Sequence, residues 1–239
     1  MVDLQEIWVY LARDPLAALT ATLLAWMAGL RLAALCRWHP AANPVLFAVA
    51  LLATGLLLTG IDYRLYFQGA QFVHFLLGPA TVALAVPLYR QWQHVRSSAL
   101  AAVVATVSGG MVAASVGVAL GLALHAAPEV TASLAPRSVT TPVAMGIAAQ
   151  IGGLPGLTAA VVLASGVVGA TLGPLVLNLA RVRDWRARGL AMGTAAHGLG
   201  TARAISVNAT AGAFSGLAMG LNALATALLL PLLWGLLFG

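Results

Sequence analysis

Val143 to Gly153 reads VAMGIAAQIGG and Leu190 to Gly200 reads LAMGTAAHGLG, the same short phrase written twice. The pairs Ala144/Ala191, Met145/Met192, Gly146/Gly193, Ala148/Ala195, Ala149/Ala196 and Gly153/Gly200 are identical. Between the copies lies one apolar segment, Leu157 to Leu179. A single membrane crossing by that segment would bring the two copies in from opposite sides, as an inverted repeat. Many secondary transporters build a substrate site in that way.

The surrounding composition supplies the membrane. Of 239 residues, 61% are hydrophobic and 8% charged, against about a quarter charged in soluble domains. A transmembrane helix needs about 20 mostly apolar residues. The chain is therefore read as one polytopic transmembrane domain over residues 1–239. It is all-helical, because lipid tolerates only helices and closed barrels and no alternating strand pattern is present. The net charge of +6 comes from twelve Arg and six acids, with no Lys. In short loops such charge reports topology rather than nucleic-acid binding. The single cysteine, Cys36, excludes an internal disulfide and a cysteine-based metal cluster. Asp3 and Glu6 precede the first basic residue, Arg13, so the start reads as a retained helix rather than a cleaved signal.

Taken in order, Pro15 opens a first span, Leu16 to Cys36, and Asn43 and Pro44 start a second that runs to Thr59. Arg31 and Arg37 place the turn with His39 and Pro40 in the cytoplasm and the N-terminus outside. Asp62, Tyr63, Arg64, Tyr66 and Phe67 suit an outer interface. Gln71 to Tyr89 holds Gly78, Pro79 and Pro87, and is expected to be kinked or discontinuous, ending at Arg90, His94 and Arg96. Ala99 to His125 is a long helix softened at Gly109 and Gly110, and Glu129 marks an outer loop. The dense basic loop of Arg181, Arg183, Arg186 and Arg188 belongs inside, so Leu157 to Leu179 runs inward. Pro136 to Gly153 must then enter and leave by the outer face, and the second copy, from Arg188, dips in from the cytoplasm. Ala211 to Phe238 is the last span. The expected fold is about six full transmembrane helices plus two opposed re-entrant or broken helices. The alternative makes both repeats full crossings, giving eight helices. Leu77, Pro79, Val82 and Val86 also echo Leu134, Pro136, Val139 and Val143, with Thr81 opposite Ser138.

Two clusters carry chemistry. Pro136, Arg137, Ser138, Val139, Thr140, Thr141 and Pro142 form a polar entry into an apolar helix, with Thr140 or Thr141 as N-cap and Pro142 near its first position. Such a helix start offers free N–H groups and about half a positive charge to a carboxylate, and Arg137 adds a full charge. The second cluster is Thr194, His197, Gly198, Gly200, Thr201 and Arg203. Its glycines break the helix and Thr201 caps the restart. Arg203 seeks an anion, and His197 touches substrate or carries a proton, its ordinary pKa lying near neutrality. Gln150, at the end of the first copy, joins the candidate binding residues, and Gly152 and Gly153 the helix breaks. No Asp or Glu lies inside a predicted span, which favours an anionic cargo over a carboxylate-based cation site. Nucleophile motifs, phosphate loops and metal-ligand spacings are absent, so neither an enzyme nor a cofactor is expected. Gly166, Gly169 and Gly173 read first as close helix packing.

PRSVTTPVAMGIAAQIGGLPGLTA (Pro136 to Ala159), RGLAMGTAAHGLGTARA (Arg188 to Ala204) and LGPATVALAVPLYRQ (Leu77 to Gln91) resemble the LrgB/CidB family of bacterial inner-membrane proteins, over roughly Asn43 to Pro231. Similar proteins include the LrgB-like half of the plastid glycolate/glycerate translocator. The resemblance implies movement of small monocarboxylates such as glycolate, glycerate, lactate or pyruvate. It also implies a small LrgA/CidA-type membrane partner in the same bilayer, and a homo-oligomer is compatible with it. It equally allows a holin/antiholin-like protein that modulates murein hydrolase export and lysis. Two departures stand out: the family often has Lys where Arg137 stands, and many members carry Glu where this chain has Ala211, before Gly212.

Overall fold

The computed structural model describes residues 15–37, 42–76, 79, 82–83 and 85–238. Asp3, Glu6, Arg13, His39, Pro40, Leu77, Gly78 and Thr81 lie outside the described residues, and with them the expectations placed on them. Every regular element among the described residues is helical. Four helices are long and apolar enough to cross a membrane: α1 (Pro15–Leu35), α7 (Ala99–Ala123), α10 (Pro155–Leu179) and α12 (Ala209–Phe238). The chain is a polytopic membrane protein. Lipid-facing packing explains why large apolar side chains such as Leu100, Leu179 and Leu236 are 75% exposed or more, while the interior is lined by Ala, Gly, Ser and Thr.

Two compact units divide the chain, Met1–Ala83 and Leu84–Gly239. In the first, α1 packs against α2 (Pro44–Thr59), a shorter apolar helix capped by Asn43, whose side chain accepts from the Val45 N–H at 2.8 Å. Then follow α3 (Tyr63–Gly69), capped by Asp62, and α4 (Gln71–Phe75). Tyr66 of α3 hydrogen-bonds Thr22 of α1 at 2.7 Å. The expected span Gln71 to Tyr89 is described only in pieces, and its Pro79 is exposed.

In the second unit, short helices α5 (Ala85–Arg90) and α6 (Trp92–Ser97) lead into α7, which is unbroken. Gly109 and Gly110 do not soften it. An ideal Cβ at Gly109 would lie 3.2 Å from Thr194 Cγ2, and Gly110 abuts the Asn222 side chain. These glycines are seats for other elements.

After α7 the chain forms a helical hairpin: α8 (Pro128–Leu134), a turn through residues 135–140, and α9 (Thr141–Gln150). It starts at Pro128 rather than Pro136, and Glu129 falls in the first turn of α8, not in a loop. The register is explicit. Thr131 lies against Gly121 and Leu134 against Gly117, while the Arg137 guanidinium reaches Ala113. The first arm thus runs antiparallel to α7, where glycines let backbone approach backbone. At the mouth, Gly152 takes φ 83°, and the Leu154 N–H donates to Ser133 Oγ at 2.7 Å. At the tip, Ser165 Oγ of α10 donates to the Arg137 carbonyl at 2.9 Å. Ser165 lies ten residues into α10, about 15 Å along its axis.

The stretch Trp185–Val207, α11, is a second hairpin. His197 has φ 39° and ψ −125°, far from helical values. Gly200 meets the Met192 carbonyl, whereas eight residues of unbroken helix would separate them by about 12 Å. Residues 185–196 climb α10 through Gly173 (against Met192), Gly169 (against Ala196) and Gly166 (against His197), so those three glycines do serve close packing. The break falls at His197 itself, not at Gly198 or Gly200. Thr201 therefore sits inside the returning arm and does not cap it.

The two hairpins enter from opposite ends of α10 and their tips meet near its middle. The repeated phrases, however, occupy unlike arms. The first copy is the outgoing arm α9 and the second is the ingoing arm, and both run antiparallel to α10. They are parallel to each other, so the phrase itself does not mark an inverted pair.

Candidate functional site

Where the tips meet, three long helices supply the walls. Arg137 stands in the turn of the first hairpin, half-buried, and packs against Gly117 of α7 with its Nε 3.2 Å from that glycine's ideal Cβ. Its Nη2 donates to the Ala113 carbonyl at 3.4 Å, and its Nε is buried without a hydrogen-bond partner. The ion pair found among the described residues is Asp184–Arg186, at the surface. Arg137 is thus a half-buried cation with no carboxylate among the described residues beside it, the situation that favours an anionic ligand.

Ser138 is buried, and Asn222 Nδ2 of α12 donates to its carbonyl at 2.9 Å and its Oγ at 3.3 Å. Thr140 takes the N-cap position of α9 with extended backbone, yet its side chain makes no cap hydrogen bond, and Thr141 and Pro142 open the helix. The first N–H groups of α9 are therefore not satisfied by a side chain, and the positive helix end lies level with the middle of α10. Pro136 is buried under the turn and Gly153 packs against Ser133, closing the hairpin.

From the other side come Thr194 and His197, both buried. The Thr194 carbonyl accepts from Asn222 Nδ2 at 3.2 Å. His197 Nε2 lies 3.1 Å from the Val162 carbonyl. Since a carbonyl only accepts, Nε2 carries a proton, and in the neutral ring Nδ1 is the acceptor. Thr201 is buried and exchanges a 2.9 Å hydrogen bond with Ser215 of α12. Its hydroxyl braces the second hairpin against α12.

Two candidates stand elsewhere. Gln150 is exposed at the outer end of α9, a full helix away from the turn. Arg203 lies in the returning arm and lines a shallow cleft with Pro174, Leu177, Trp185 and Arg188, at the base of the second hairpin. That places it beside the basic loop and not beside Arg137. Gly198 has open space around it. Asn222, which binds both tips, escaped the sequence reading. Its signal was a carboxamide alone in the apolar run LNALAT, a polar group that lipid does not tolerate without partners.

The LrgB-like family matches residues 22–236. The chain is 35% identical to protein YwbG of Bacillus subtilis over 191 residues, covering 80% of this chain and 85% of that protein. It is 34% identical to a protein of Haemophilus influenzae, covering 82% and 85%. It is 32% identical to the holin-like protein CidB of Staphylococcus aureus, again covering 82% and 85%. No solved structure matches.

Proposed function

Because the chain belongs to the LrgB-like family, we propose that it is a carrier of small monocarboxylate anions of the glycolate, glycerate, lactate and pyruvate class, working in the bacterial inner membrane. If α7, α10 and α12 cross the bilayer, the two hairpins are re-entrant and their tips lie near its midplane, at the depth where transporter sites are built from broken helices. The observation that carries the reading is Arg137. Its guanidinium lies there with a buried, unpartnered Nε and no acid among the described residues beside it. A planar carboxylate matches a guanidinium fork. The uncapped start of α9 at Thr140 and Thr141 adds N–H donors on the same turn.

In this account Arg137 supplies charge, and Ser138, Thr140, Thr141 and Thr194 supply hydrogen bonds to substrate. His197, with Nδ1 free to accept, receives a proton. Arg203 acts at the cytoplasmic mouth, attracting anions before they reach the tips. Alternating access is a rocking of the hairpin pair against α7 and α12. A small LrgA/CidA-type membrane protein is the proposed partner. The printed name of the Staphylococcus aureus relative, holin-like protein CidB, favours one second reading, a pore or regulator of lysis without a substrate site.

Binding separates the two. A ligand that prefers the folded state raises its melting temperature. Glycolate is expected to stabilise the purified protein in a saturable way, and the neutral glycolamide is not. Equal effects of acid and amide, or none from either, would remove the carrier reading.

A further inference from the structure

Helix breaks inside a lipid-facing protein orphan backbone carbonyls, and each must find a donor. Ser138 lies in the turn ahead of the Thr140 N-cap, whose extended backbone takes the Ser138 carbonyl out of the helical hydrogen-bond ladder. Thr194 would offer its carbonyl to Gly198, on the far side of the His197 kink. The structure answers both needs with one group. Asn222, 1% exposed and 13 residues into α12, turns its single –NH2 to Ser138 O at 2.9 Å and to Thr194 O at 3.2 Å. Ser138 Oγ, at 3.3 Å, competes for the same two hydrogens. The other end of the amide is fixed as well. Thr226 Oγ1 donates to Asn222 Oδ1 at 3.3 Å, and Gly110 of α7 is the one residue type whose lack of a Cβ leaves room for that oxygen.

We propose that Asn222 is a positioning residue that couples the two hairpins: one side-chain amide holds the tip of each, so that releasing either tip changes the hold on the other. This goes beyond the carrier reading, since the coupling is a property of the fold whatever the chain moves. Its consequence under that reading is that both tips move as one unit. The geometry gives a reason for a carboxamide here. Asp would donate nothing to two carbonyls, and Ser is too short to reach both.

The test is amide hydrogen exchange on the full chain in lipid nanodiscs, which needs no substrate and so succeeds or fails independently of transport. Asn222→Leu is expected to speed exchange at least tenfold in both 137–141 and 193–198, leaving α7 unchanged. Asn222→Ser, smaller and easier to accommodate, should do the same to a lesser degree if the leucine variant does not fold. Faster exchange at one tip only, or losses spread evenly through α7 and α12, would overturn the coupling and leave Asn222 an ordinary packing residue.

Discussion

Replacing Arg137 by glutamine should stabilise the ligand-free protein and blunt its response to ligand. The Nε of Arg137 is buried and unpartnered, and Nη2 makes one 3.4 Å hydrogen bond. A buried unsatisfied group costs about 1–3 kcal/mol, and a cation at mid-membrane about 2.5–3.5 kcal/mol on insertion scales. Glutamine removes the charge and the orphan Nε, and its amide offers a shorter donor on the Ala113 side. Some of that gain is returned as lost packing on Gly117, so a net gain of about 1–2 kcal/mol is expected for ligand-free protein. At about 2–4 °C per kcal/mol for a chain of this size, the melting temperature should rise by about 2–8 °C. With ligand that advantage shrinks or disappears. Wild-type protein at a glycolate concentration of a hundred times Kd gains about 2.7 kcal/mol. Losing a charged hydrogen bond costs about 1.5–3 kcal/mol, or about 10- to 150-fold in affinity, so at the same concentration the variant should gain only about 0.3–1.4 kcal/mol. Differential scanning fluorimetry in detergent, with glycolate titrated against both proteins, reads both quantities. A variant that melts lower than wild type and still responds to glycolate would refute the assignment of Arg137 as an unpaired anion seat.

Three further outcomes follow from the packing. Gly193→Ala places a Cβ 2.8 Å from the Ser215 carbonyl carbon, a backbone atom that no rotamer change relieves. It should cost about 1–3 kcal/mol as overpacking, while Gly198→Ala, with nothing within 4 Å, should stay within about 0.5 kcal/mol. Ser133→Ala strips the acceptor from the Leu154 N–H at 2.7 Å and should open the mouth of the first hairpin at about 1–3 kcal/mol, visible as faster exchange at residues 151–154. Asp184 caps α11 through the Arg186 N–H at 2.8 Å, so Asp184→Ala should cost about 1 kcal/mol at neutral pH. The hydrogen bond from the Arg186 side chain is the main cause holding its carboxyl below its usual pKa. A lowered folded-state pKa means the contribution is present above the unfolded value and is lost as pH falls through the folded one. The wild-type advantage over the alanine variant should be flat from about pH 6 to 8 and shrink below about pH 4.

Much of the architecture was legible because lipid makes polarity expensive. The PRSVTTP entry and the arginines that the positive-inside rule assigns to one face together call for a chain reversal near Arg137, and Gly166, Gly169 and Gly173 read as a track for another backbone. Other features were hidden by how local the signals are. Helix breaks are read from glycine, yet the positive φ fell to His197, whose ring is held by the Val162 carbonyl. Arg203 is six residues from His197 in sequence, and a returning helix carries those residues about 9 Å back toward the mouth. Gln150 is a candidate by its place at the end of the first copy, but that end of α9 lies at the mouth of the hairpin, away from the turn. Asn222 carries no charge and lies far in sequence from both clusters. Its partners are defined only once α12 passes between the tips.

Reconstituted into liposomes preloaded with unlabelled glycolate, the wild-type protein should accumulate external radiolabelled glycolate transiently by counterflow. The uptake should saturate, and the Arg137→Gln variant, purified to the same yield, should not accumulate it. Flux that rises linearly with concentration and passes glycolamide as readily as glycolate in both proteins would contradict a carboxylate site between the hairpin tips.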